Sequence, residues 1–373
     1  MFDQRLPKFI LALFLVILFA APSFGQPAEQ GAAAGKIIEV KIAAPSLKGN
    51  LLGDPAEQNV SLYLPPSYET SPAKRYPVVY LLHGYAGTNK TWTTSGIEYG
   101  YNIQPIMDVL IASGKIREMI IVAPNGRNAY KGSLYVNSAV TGNWEDYIFR
   151  DVVTHIDANY RTLARPQSRG IAGHSMGGYG AVYLGMRHAD VFGAVYALSP
   201  GLLGFGGLDV ADPVWKRVGT LTSRQQLPRA TLKSPADFST NVYVAMSGAF
   251  SPNVGRPPLY ADFLFEERDG KLVRNEAVYA KWKAKIPLNF LDEYKPNLLS
   301  LRGLFLDYGQ NEGFANIRTD TSLFSRALAE RSIPHVFEIY AGGDHSNKVK
   351  ERLETRVFQF FSDRLDPYHY SGN

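Results

Sequence analysis

The sequence contains no cysteine among its 373 residues. Disulfide bonds, a thiolate nucleophile and cysteine-ligated metal sites are therefore all excluded. Stability has to come from a noncovalent core, and the chain is long enough to bury one. The 45% hydrophobic and 20% charged contents are those of an ordinary globular protein.

No apolar run in the sequence reaches the roughly 20 residues that a membrane-spanning helix needs. The longest run is FILALFLVILFAA at residues 9–21. It follows a start with two basic residues, and the small residues Ser23 and Gly25 come after it. This pattern is typical of a secretory signal peptide. We therefore predict cleavage after Gly25, a secreted or periplasmic protein and no stable membrane anchor after cleavage; an uncleaved N-terminal anchor is the alternative.

Charge of one sign is not concentrated in any part of the sequence. The net charge is +5, and the basic residues are scattered, as in KRYP, RPQSR and KWKAK. Nucleic-acid-binding proteins instead cluster such residues on one face. We expect no nucleic-acid partner, and the motifs described below require neither a cofactor nor a metal ion.

Strand-like and helix-like patterns alternate along most of the chain. Near-continuous apolar runs, typical of strands buried on both faces, occur at residues 76–82, 119–123 and 192–198. Helical periodicity lies between and after them, for example at residues 144–159 and 176–187. The sequence therefore predicts an α/β fold, in which helices cover both faces of a mostly parallel sheet.

The predicted organisation has three parts: a signal peptide at residues 1–25, a small-residue linker at residues 26–35, and one α/β domain at residues 36–373. The alternation within this domain breaks at about residues 201–300, which we call the insertion. The insertion is rich in proline, glycine, tyrosine and charge, and its secondary structure is not clear from the pattern. The alternation resumes with a strand at residues 304–308.

Five glycines surround one serine in the segment GIAGHSMGGYGAV, residues 170–182. Within it, GHSMG fits the pattern G-x-S-x-G between a predicted strand and a predicted helix, which is the context of a nucleophile elbow. Such a bend strains the backbone of Ser175 and presents its hydroxyl above the sheet edge, at the positive end of the next helix. A phosphate-binding loop of the Walker kind is disfavoured, because it requires a lysine that this segment lacks. We predict that Ser175 is a nucleophile.

A serine nucleophile needs a histidine base that is itself oriented by an acid. In folds with this elbow, the chain order is serine, acid and then histidine. His345 follows the predicted strand at residues 335–341 and a Gly-Gly-Asp turn. It should therefore lie at the C-terminal edge of the sheet, beside Ser175. His345 is the predicted base.

The acid is expected after the strand that precedes this histidine. Two carboxylates qualify there: Asp307 at the strand end and Glu312 in the following loop. Glu312 is the preferred candidate, because a side chain in the loop can reach back to the imidazole of His345. Asp307 remains the alternative acid, and Asp344 is a third candidate.

An oxyanion hole requires two backbone N–H groups directed at the developing negative charge. One comes from the residue after the nucleophile, which is Met176. The other comes from the loop after the strand YLLHG, where Tyr85 is the predicted donor.

These motifs together resemble the Putative esterase family of α/β-hydrolases, which includes feruloyl and acetylxylan esterases, S-formylglutathione hydrolase (esterase D) and mycolyltransferases. The matching segments include YPVVYLLHGYAG, IIVAPNG, RGIAGHSMGGYGAV, LDYGQNEGF and YAGGDHS. The resemblance runs from about residue 37 to residue 361, except for the insertion. It implies an α/β-hydrolase fold, with Ser175 as nucleophile, His345 as base and an oxyanion hole formed at Tyr85 and Met176.

Three further points depend on this resemblance. The family acid position falls on Glu312, where many members have aspartate, so Asp307 stays a rival. Trp144 is expected near the cleft and, with His174, is predicted to contact substrate; a buried aromatic at a helix start is the other interpretation of Trp144.

In α/β-hydrolases, a long insertion at the position of residues 201–300 often forms a lid over the site. The insertion's aromatic residues either line an acyl or aromatic pocket or form a small core of their own. These residues are Tyr243, Phe250, Tyr260, Phe263, Phe265, Tyr279 and Trp282.

The resemblance and the predicted triad imply a secreted serine carboxylic-ester hydrolase. It would act through an acyl-enzyme on acyl or feruloyl/acetyl-type esters, either small or linked to polysaccharide. An acyltransferase of the mycolyltransferase type is one alternative. A non-catalytic binding protein that retains the fold is another.

Overall fold

The computed structural model describes residue 1 and residues 34–97, 100–206, 208, 212–228 and 234–367. The predicted signal peptide, apart from residue 1, and most of the predicted linker lie outside these ranges. Within them, no helix is both long enough and apolar enough to cross a membrane.

A sheet of eight strands forms the centre of the fold, with strand order β1-β2-β4-β3-β5-β6-β7-β8. The strands are β1 Lys36–Ala43, β2 Glu57–Leu64, β3 Val78–Leu82, β4 Ile120–Pro124, β5 Arg169–His174, β6 Ala194–Leu198, β7 Gly303–Gly309 and β8 Val336–Tyr340. β2 is antiparallel to both β1 and β4. All other neighbours are parallel. The predicted α/β fold with a mostly parallel sheet is confirmed.

Helices cover both faces of this sheet. They are α1 Ile103–Ala112, α2 at residues 144–159, α3 Met176–Arg187, α4 Val214–Gly219, α5 Pro235–Phe250, α6 Glu276–Lys283, α7 Lys295–Ser300, α8 Ala315–Glu330 and α9 at residues 349–364. Every residue of β3 and β4 is buried, as expected for central strands between two helical layers. The apolar side chains accordingly form two clusters.

Two helix predictions can be compared with the structure in detail. The predicted helix at residues 176–187 is α3, with the same bounds. For the last helix before β8, the sequence pattern predicts residues 319–331, whereas α8 starts at Ala315, four residues earlier. Phe314 precedes it and supplies no side-chain cap, so the sequence carries no signal for this start. The Phe314 N–H instead donates to a carboxylate oxygen of Glu312 at 3.0 Å.

The insertion connects β6 to β7 and contains α4 to α7 together with a hairpin of Phe265–Arg268 and Lys271–Arg274. An aromatic cluster lies at its centre. Trp215 stacks on Tyr243 with ring centroids 4.4 Å apart, and Trp282 packs edge-on against Phe250 at 5.6 Å. These side chains join the larger of the two apolar clusters, so the insertion is seated on the main core.

Candidate active site

Ser175 occupies a sharp corner between β5 and α3. Its backbone has φ +59° and ψ −116°, a combination that an L-residue adopts only when the surrounding structure enforces it. The Ser175 N–H donates to the carbonyl of Leu198 on the neighbouring strand at 3.0 Å. A Cβ at Gly173 would collide with the backbone of Gly177, so the elbow requires glycine on both sides of the serine.

The hydroxyl of Ser175 lies against the imidazole of His345. The distance between Ser175 Oγ and His345 Nε2 is 3.0 Å, and His345 Nδ1 lies 2.8 Å from Oε2 of Glu312. An ionised carboxylate can only accept, so Nδ1 carries the ring proton and the lone pair of Nε2 faces the serine. The structure thus brings Ser175, His345 and Glu312 into one hydrogen-bonded chain.

The two candidate acids occupy different surroundings. Glu312 is 1% exposed and its two oxygens accept from His345 and from the Phe314 N–H. Asp307 is fully buried beneath the site and accepts from the Tyr196 hydroxyl at 2.6 Å and from Arg352 Nε at 2.9 Å. Glu312 therefore contacts the imidazole, whereas Asp307 holds a guanidinium.

Burial raises the pKa of Asp307 to about 6, although Arg352 opposes this shift. Asp344, the third candidate, is exposed, and its carboxylate is bound by backbone groups instead of by the imidazole. It accepts from the backbone N–H groups of Ser346 and Asn347, each at 2.7 Å. Those two hydrogen bonds lower the pKa of Asp344. The carboxylate of Asp344 thus stabilises the turn that carries His345.

His174 holds the loop that carries His345 through a hydrogen bond to its backbone. Its Nε2 lies 2.6 Å from the His345 carbonyl oxygen, and since a carbonyl only accepts, this nitrogen carries the proton. Burial lowers the pKa of His174 to about 3, so the ring is neutral at ordinary pH. His174 also lines a cleft beside Ser175, where it was predicted to contact substrate.

The two predicted oxyanion donors border the nucleophile. Tyr85 and Met176 both line a pocket together with Ser175. Among the described residues, neither backbone N–H has a hydrogen-bond acceptor. For Met176 this follows from its place in the first turn of α3, where no earlier carbonyl is in position to accept. Both N–H groups are available to a ligand oxygen.

His83 fixes the loop that carries Tyr85, a role that sequence reasoning missed. The N–H of Gly126 donates to His83 Nε2 at 2.8 Å, so Nδ1 carries the proton and donates to the Gly84 carbonyl at 2.8 Å. Burial lowers the pKa of this imidazole to about 4. The adjacent motifs LLHG and APNG were the available signal, since they end β3 and β4, two neighbouring strands.

Two spaces meet at Ser175. The histidine cleft, of about 40 Å³, is bordered by His345, His174, Trp92 and Tyr101. The insertion pocket, of about 380 Å³, lies on the other side and is lined by Met176, by α5 and by the start of α8. Phe238 of α5 borders both spaces, so the insertion does reach over the nucleophile.

Most of the insertion's aromatic residues do not line this pocket. Of the seven singled out from the sequence, Tyr243 alone borders it. Phe265 and Trp282 are buried against Trp215, and Phe250 is buried against Trp282. These residues are therefore packed in a core and do not line the pocket, although that core is continuous with the main core instead of being the insertion's own.

Trp144 is not brought to the cleft. Its side chain is fully buried, its Nε1 donates to the Thr141 carbonyl at 2.7 Å, and its ring packs edge-on against Tyr147. This geometry matches the buried helix-start interpretation and offers no surface for substrate. In the part of the chain that the structure describes, no group of three or more His, Asp or Glu side chains is placed to hold a metal ion.

Comparison with known proteins places the chain among esterases. An endo-1,4-beta-xylanase/feruloyl esterase of Xylanibacter ruminicola is 34% identical over 149 residues, which is 39% of this chain and 20% of that protein. Esterase Rv1288 of Mycobacterium tuberculosis is 39% identical over 124 residues, or 33% of this chain and 25% of that protein. The matches thus span a quarter or less of the length of these relatives.

Solved structures share the fold over most of the chain. A ferulic acid esterase superposes with a TM-score of 0.57 at 23% identity, covering 88% of this chain and 98% of its own. An S-formylglutathione hydrolase from Agrobacterium tumefaciens gives a TM-score of 0.57 at 15% identity, covering 90% and 97%. The model of the family described as "Putative esterase" matches residues 55–366. The chain belongs to this family, as the sequence motifs predicted.

Proposed function

We propose that this protein is a serine carboxylic-ester hydrolase that acts through an acyl-enzyme. One observation carries the proposal: the continuous chain from Ser175 Oγ through the imidazole of His345 to the buried carboxylate of Glu312, with contacts of 3.0 and 2.8 Å. This is the arrangement of a nucleophile, a base and an orienting acid. The relatives and the fold agree with ester hydrolysis.

In the first half of the reaction, Ser175 Oγ forms a bond to the ester carbonyl carbon while its proton passes to His345 Nε2. The carbonyl oxygen becomes an oxyanion, which the N–H groups of Tyr85 and Met176 stabilise. The intermediate collapses, the bond to the alcohol oxygen breaks, and His345 returns the proton to that oxygen. Glu312 remains ionised and stabilises the imidazolium.

In the second half, water attacks the acyl carbon while His345 Nε2 accepts a proton from it. The bond to Ser175 Oγ then breaks, the serine regains its proton from His345, and the carboxylic acid departs. The substrates we propose are acyl esters of the simple, acetyl or feruloyl type. Support for that range comes from the names of the relatives, which include a feruloyl esterase.

A Ser175→Ala variant tests the proposal. With p-nitrophenyl butyrate, we expect kcat to fall by about 10⁵- to 10⁶-fold, the range seen when a catalytic serine is removed. Ser300→Ala is the matched control, because Ser300 is exposed at the end of α7 and should leave turnover unchanged. Undiminished hydrolysis by Ser175→Ala would exclude the mechanism.

We further propose that the protein is exported and that residues 1–25 are removed. The support is the basic start, the apolar run at residues 9–21 and the small residues before the proposed cleavage point. N-terminal sequencing of the mature protein from cells that express the full chain is expected to begin at Gln26. A mature protein that begins with Met1 would contradict export by cleavage.

A further inference from the structure

The two spaces beside Ser175 are chemically distinct, and the position of His345 decides which part of an ester enters each. The departing alcohol oxygen has to receive its proton from His345 Nε2, so the alcohol lies on the side that His345 lines. That side is the histidine cleft. The acyl substituent then extends to the opposite side, past Met176 and into the insertion pocket.

The lining of the insertion pocket is mostly apolar. Its aliphatic side chains include Leu134, Leu202, Leu208, Val242, Met246 and Ile317. Tyr85, Phe238 and Phe314 add aromatic rings, and Ser239 and Asn316 add polar groups. The phenol of Tyr243 also borders it, but its hydroxyl already donates to Asp212 at 2.7 Å. Such a lining favours a ligand group without polar atoms, because each buried polar atom needs a partner.

One face of α5 forms a wall of this pocket. Phe238, Val242 and Met246 recur at intervals of four residues, so their side chains line up along one side of the helix. Other residues of α5 hold the helix in place. Val244 is fully buried, and the Asn241 side chain accepts from Lys131 Nζ, in the loop after β4, at 3.1 Å. The wall is therefore fixed to the part of the α/β domain outside the insertion, which we call the main domain.

We propose that the insertion pocket is an acyl subsite for aliphatic chains longer than acetyl, such as hexanoyl and octanoyl, and that Val242 and Met246 determine its length preference. The inference rests on the proposed ester hydrolysis and adds its substrate class. The pocket volume of about 380 Å³ is many times the roughly 30 Å³ that one water molecule occupies in the liquid, so the pocket has room for a chain of several carbons. An acetyl group leaves most of this volume unfilled.

The chain-length dependence of kcat/KM gives the test. Each methylene that leaves water contributes about 0.8 kcal/mol, which is about fourfold in kcat/KM. Between p-nitrophenyl acetate and hexanoate, the wild-type protein should therefore gain about 10²-fold. A p-nitrophenyl ester of ferulic acid, measured beside them, tests the aromatic alternative with the same leaving group.

Val242→Phe adds bulk to the wall of the pocket. We expect it to lower kcat/KM for hexanoate and octanoate at least tenfold while acetate changes by less than about twofold. Val254→Phe is the matched control, because Val254 is 61% exposed elsewhere in the insertion and should leave the profile unchanged. A second measurement does not depend on turnover: the Ser175→Ala protein should bind p-nitrophenyl octanoate, and adding Val242→Phe should weaken that binding about tenfold.

The outcomes separate the acyl subsite from the proposed function. Hydrolysis with a flat chain-length profile, or a Val242→Phe profile equal to that of the wild type, would overturn the subsite and leave ester hydrolysis standing. A feruloyl ester preferred over every aliphatic ester would overturn the aliphatic assignment. If no ester is hydrolysed, the proposed function fails. If the Ser175→Ala protein then binds p-nitrophenyl octanoate equally well with and without Val242→Phe, the subsite is excluded as well.

Discussion

Two regions approach Ser175 from opposite sides, and they are held in place by different forces. On one side, the loops after β7 and β8 are fixed by hydrogen bonds from His345 to Glu312, from the Phe314 N–H to Glu312, and from His174 to the His345 carbonyl. On the other side, hydrogen bonds such as that from Lys131 Nζ to Asn241 tie the insertion to the rest of the domain, but its interior is formed by packing, with Trp215 stacked on Tyr243 at its centre.

The difference follows from what each side has to do. Proton transfer works only when donor, acceptor and angle are correct, so directional bonds have to position the imidazole. Binding an apolar group requires only a volume of the right shape without water, which packed side chains supply. Changes on the histidine side should therefore alter turnover, and changes in the insertion should alter stability and selectivity.

The two buried carboxylates offer the strongest test of this contrast. Glu312→Gln keeps the shape of the side chain but removes the charge that orients His345 and stabilises its imidazolium. We expect kcat to fall by about 10³- to 10⁴-fold, as when the acid of a serine triad is neutralised. Steady-state kinetics with p-nitrophenyl butyrate measures this.

Asp307→Asn is the matched control for Glu312→Gln. It breaks the ion pair with Arg352, whose Nη2 lies 2.8 Å from the carboxylate. Breaking a buried pair costs about 3–5 kcal/mol in the free energy of unfolding, while kcat at 25 °C should stay within about tenfold of the wild type. A larger loss of kcat in Asp307→Asn than in Glu312→Gln would reverse the assignment of the acid.

Trp215→Ala tests whether packing within the insertion supports the wall of the pocket. Removing this buried ring should lower the free energy of unfolding by about 3–5 kcal/mol and abolish the preference for long acyl chains, because α5 loses its support. Turnover of the acetyl ester should change little. Urea denaturation and the ester series provide the readouts.

Trp144→Ala is its counterpart in the main domain, since Trp144 is equally buried but borders neither space at Ser175. It should destabilise the protein by a similar amount and leave the chain-length preference intact. Equal loss of that preference in both variants would mean that selectivity depends on general stability rather than on α5.

Acid should destabilise the protein through His83. The folded state holds this imidazole neutral because burial lowers its pKa to about 4, whereas the unfolded chain protonates it below about pH 6.5. The contribution of His83 to the free energy of unfolding is therefore fully present above pH 6.5 and is lost as the pH falls toward 4. At pH 5 the loss from this group is about 2 kcal/mol.

A His83→Asn variant isolates that contribution. Its free energy of unfolding is expected to be lower at pH 7, but the further drop between pH 7 and pH 5 should be smaller than in the wild type by about 2 kcal/mol. Other titrating groups, including Asp307, affect both proteins alike. The same drop in both proteins would show that His83 is not held neutral.

His174→Phe should have the smallest effect. The ring volume is kept, but the His345 carbonyl loses its donor, which costs about 1–3 kcal/mol when the acceptor is buried. We expect kcat to fall about tenfold with KM nearly unchanged, because the imidazole loses its exact position. His174→Gln supplies an amide donor and should recover most of the loss; no recovery would assign His174 to packing alone.

Sequence patterns were sufficient for the parts of the molecule where backbone geometry dictates residue type. Only glycine fits at Gly173, where any Cβ would collide with the facing backbone, so the elbow at Ser175 could be recognised. β7 and β8 end at the same edge of a parallel sheet, so the sequence placed the loop of Glu312 beside the loop of His345, although it left Asp307 as a rival acid.

Packing leaves no comparable pattern in the sequence. The insertion pocket depends on which face of α5 meets the nucleophile, and residues 201–300 carry too little periodicity to show it. For Trp144, the family resemblance favoured the cleft and a buried helix start was the other interpretation; its spacing of four from Ile148 is that of a buried helix stripe, which the structure shows. His83 was overlooked because its two partners are backbone groups, and the only signal for the contact is that LLHG and APNG end two neighbouring strands.

The position of the covalent bond tests the central claim most directly. After treatment with an alkyl fluorophosphonate, trypsin should release residues 170–187 as one peptide, because Arg169 and Arg187 flank a stretch with no other basic cleavage site. The account predicts that mass spectrometry finds one phosphonyl group per protein, on Ser175. Hydrolysis that is abolished by the reagent while the label lies on a different residue would contradict it.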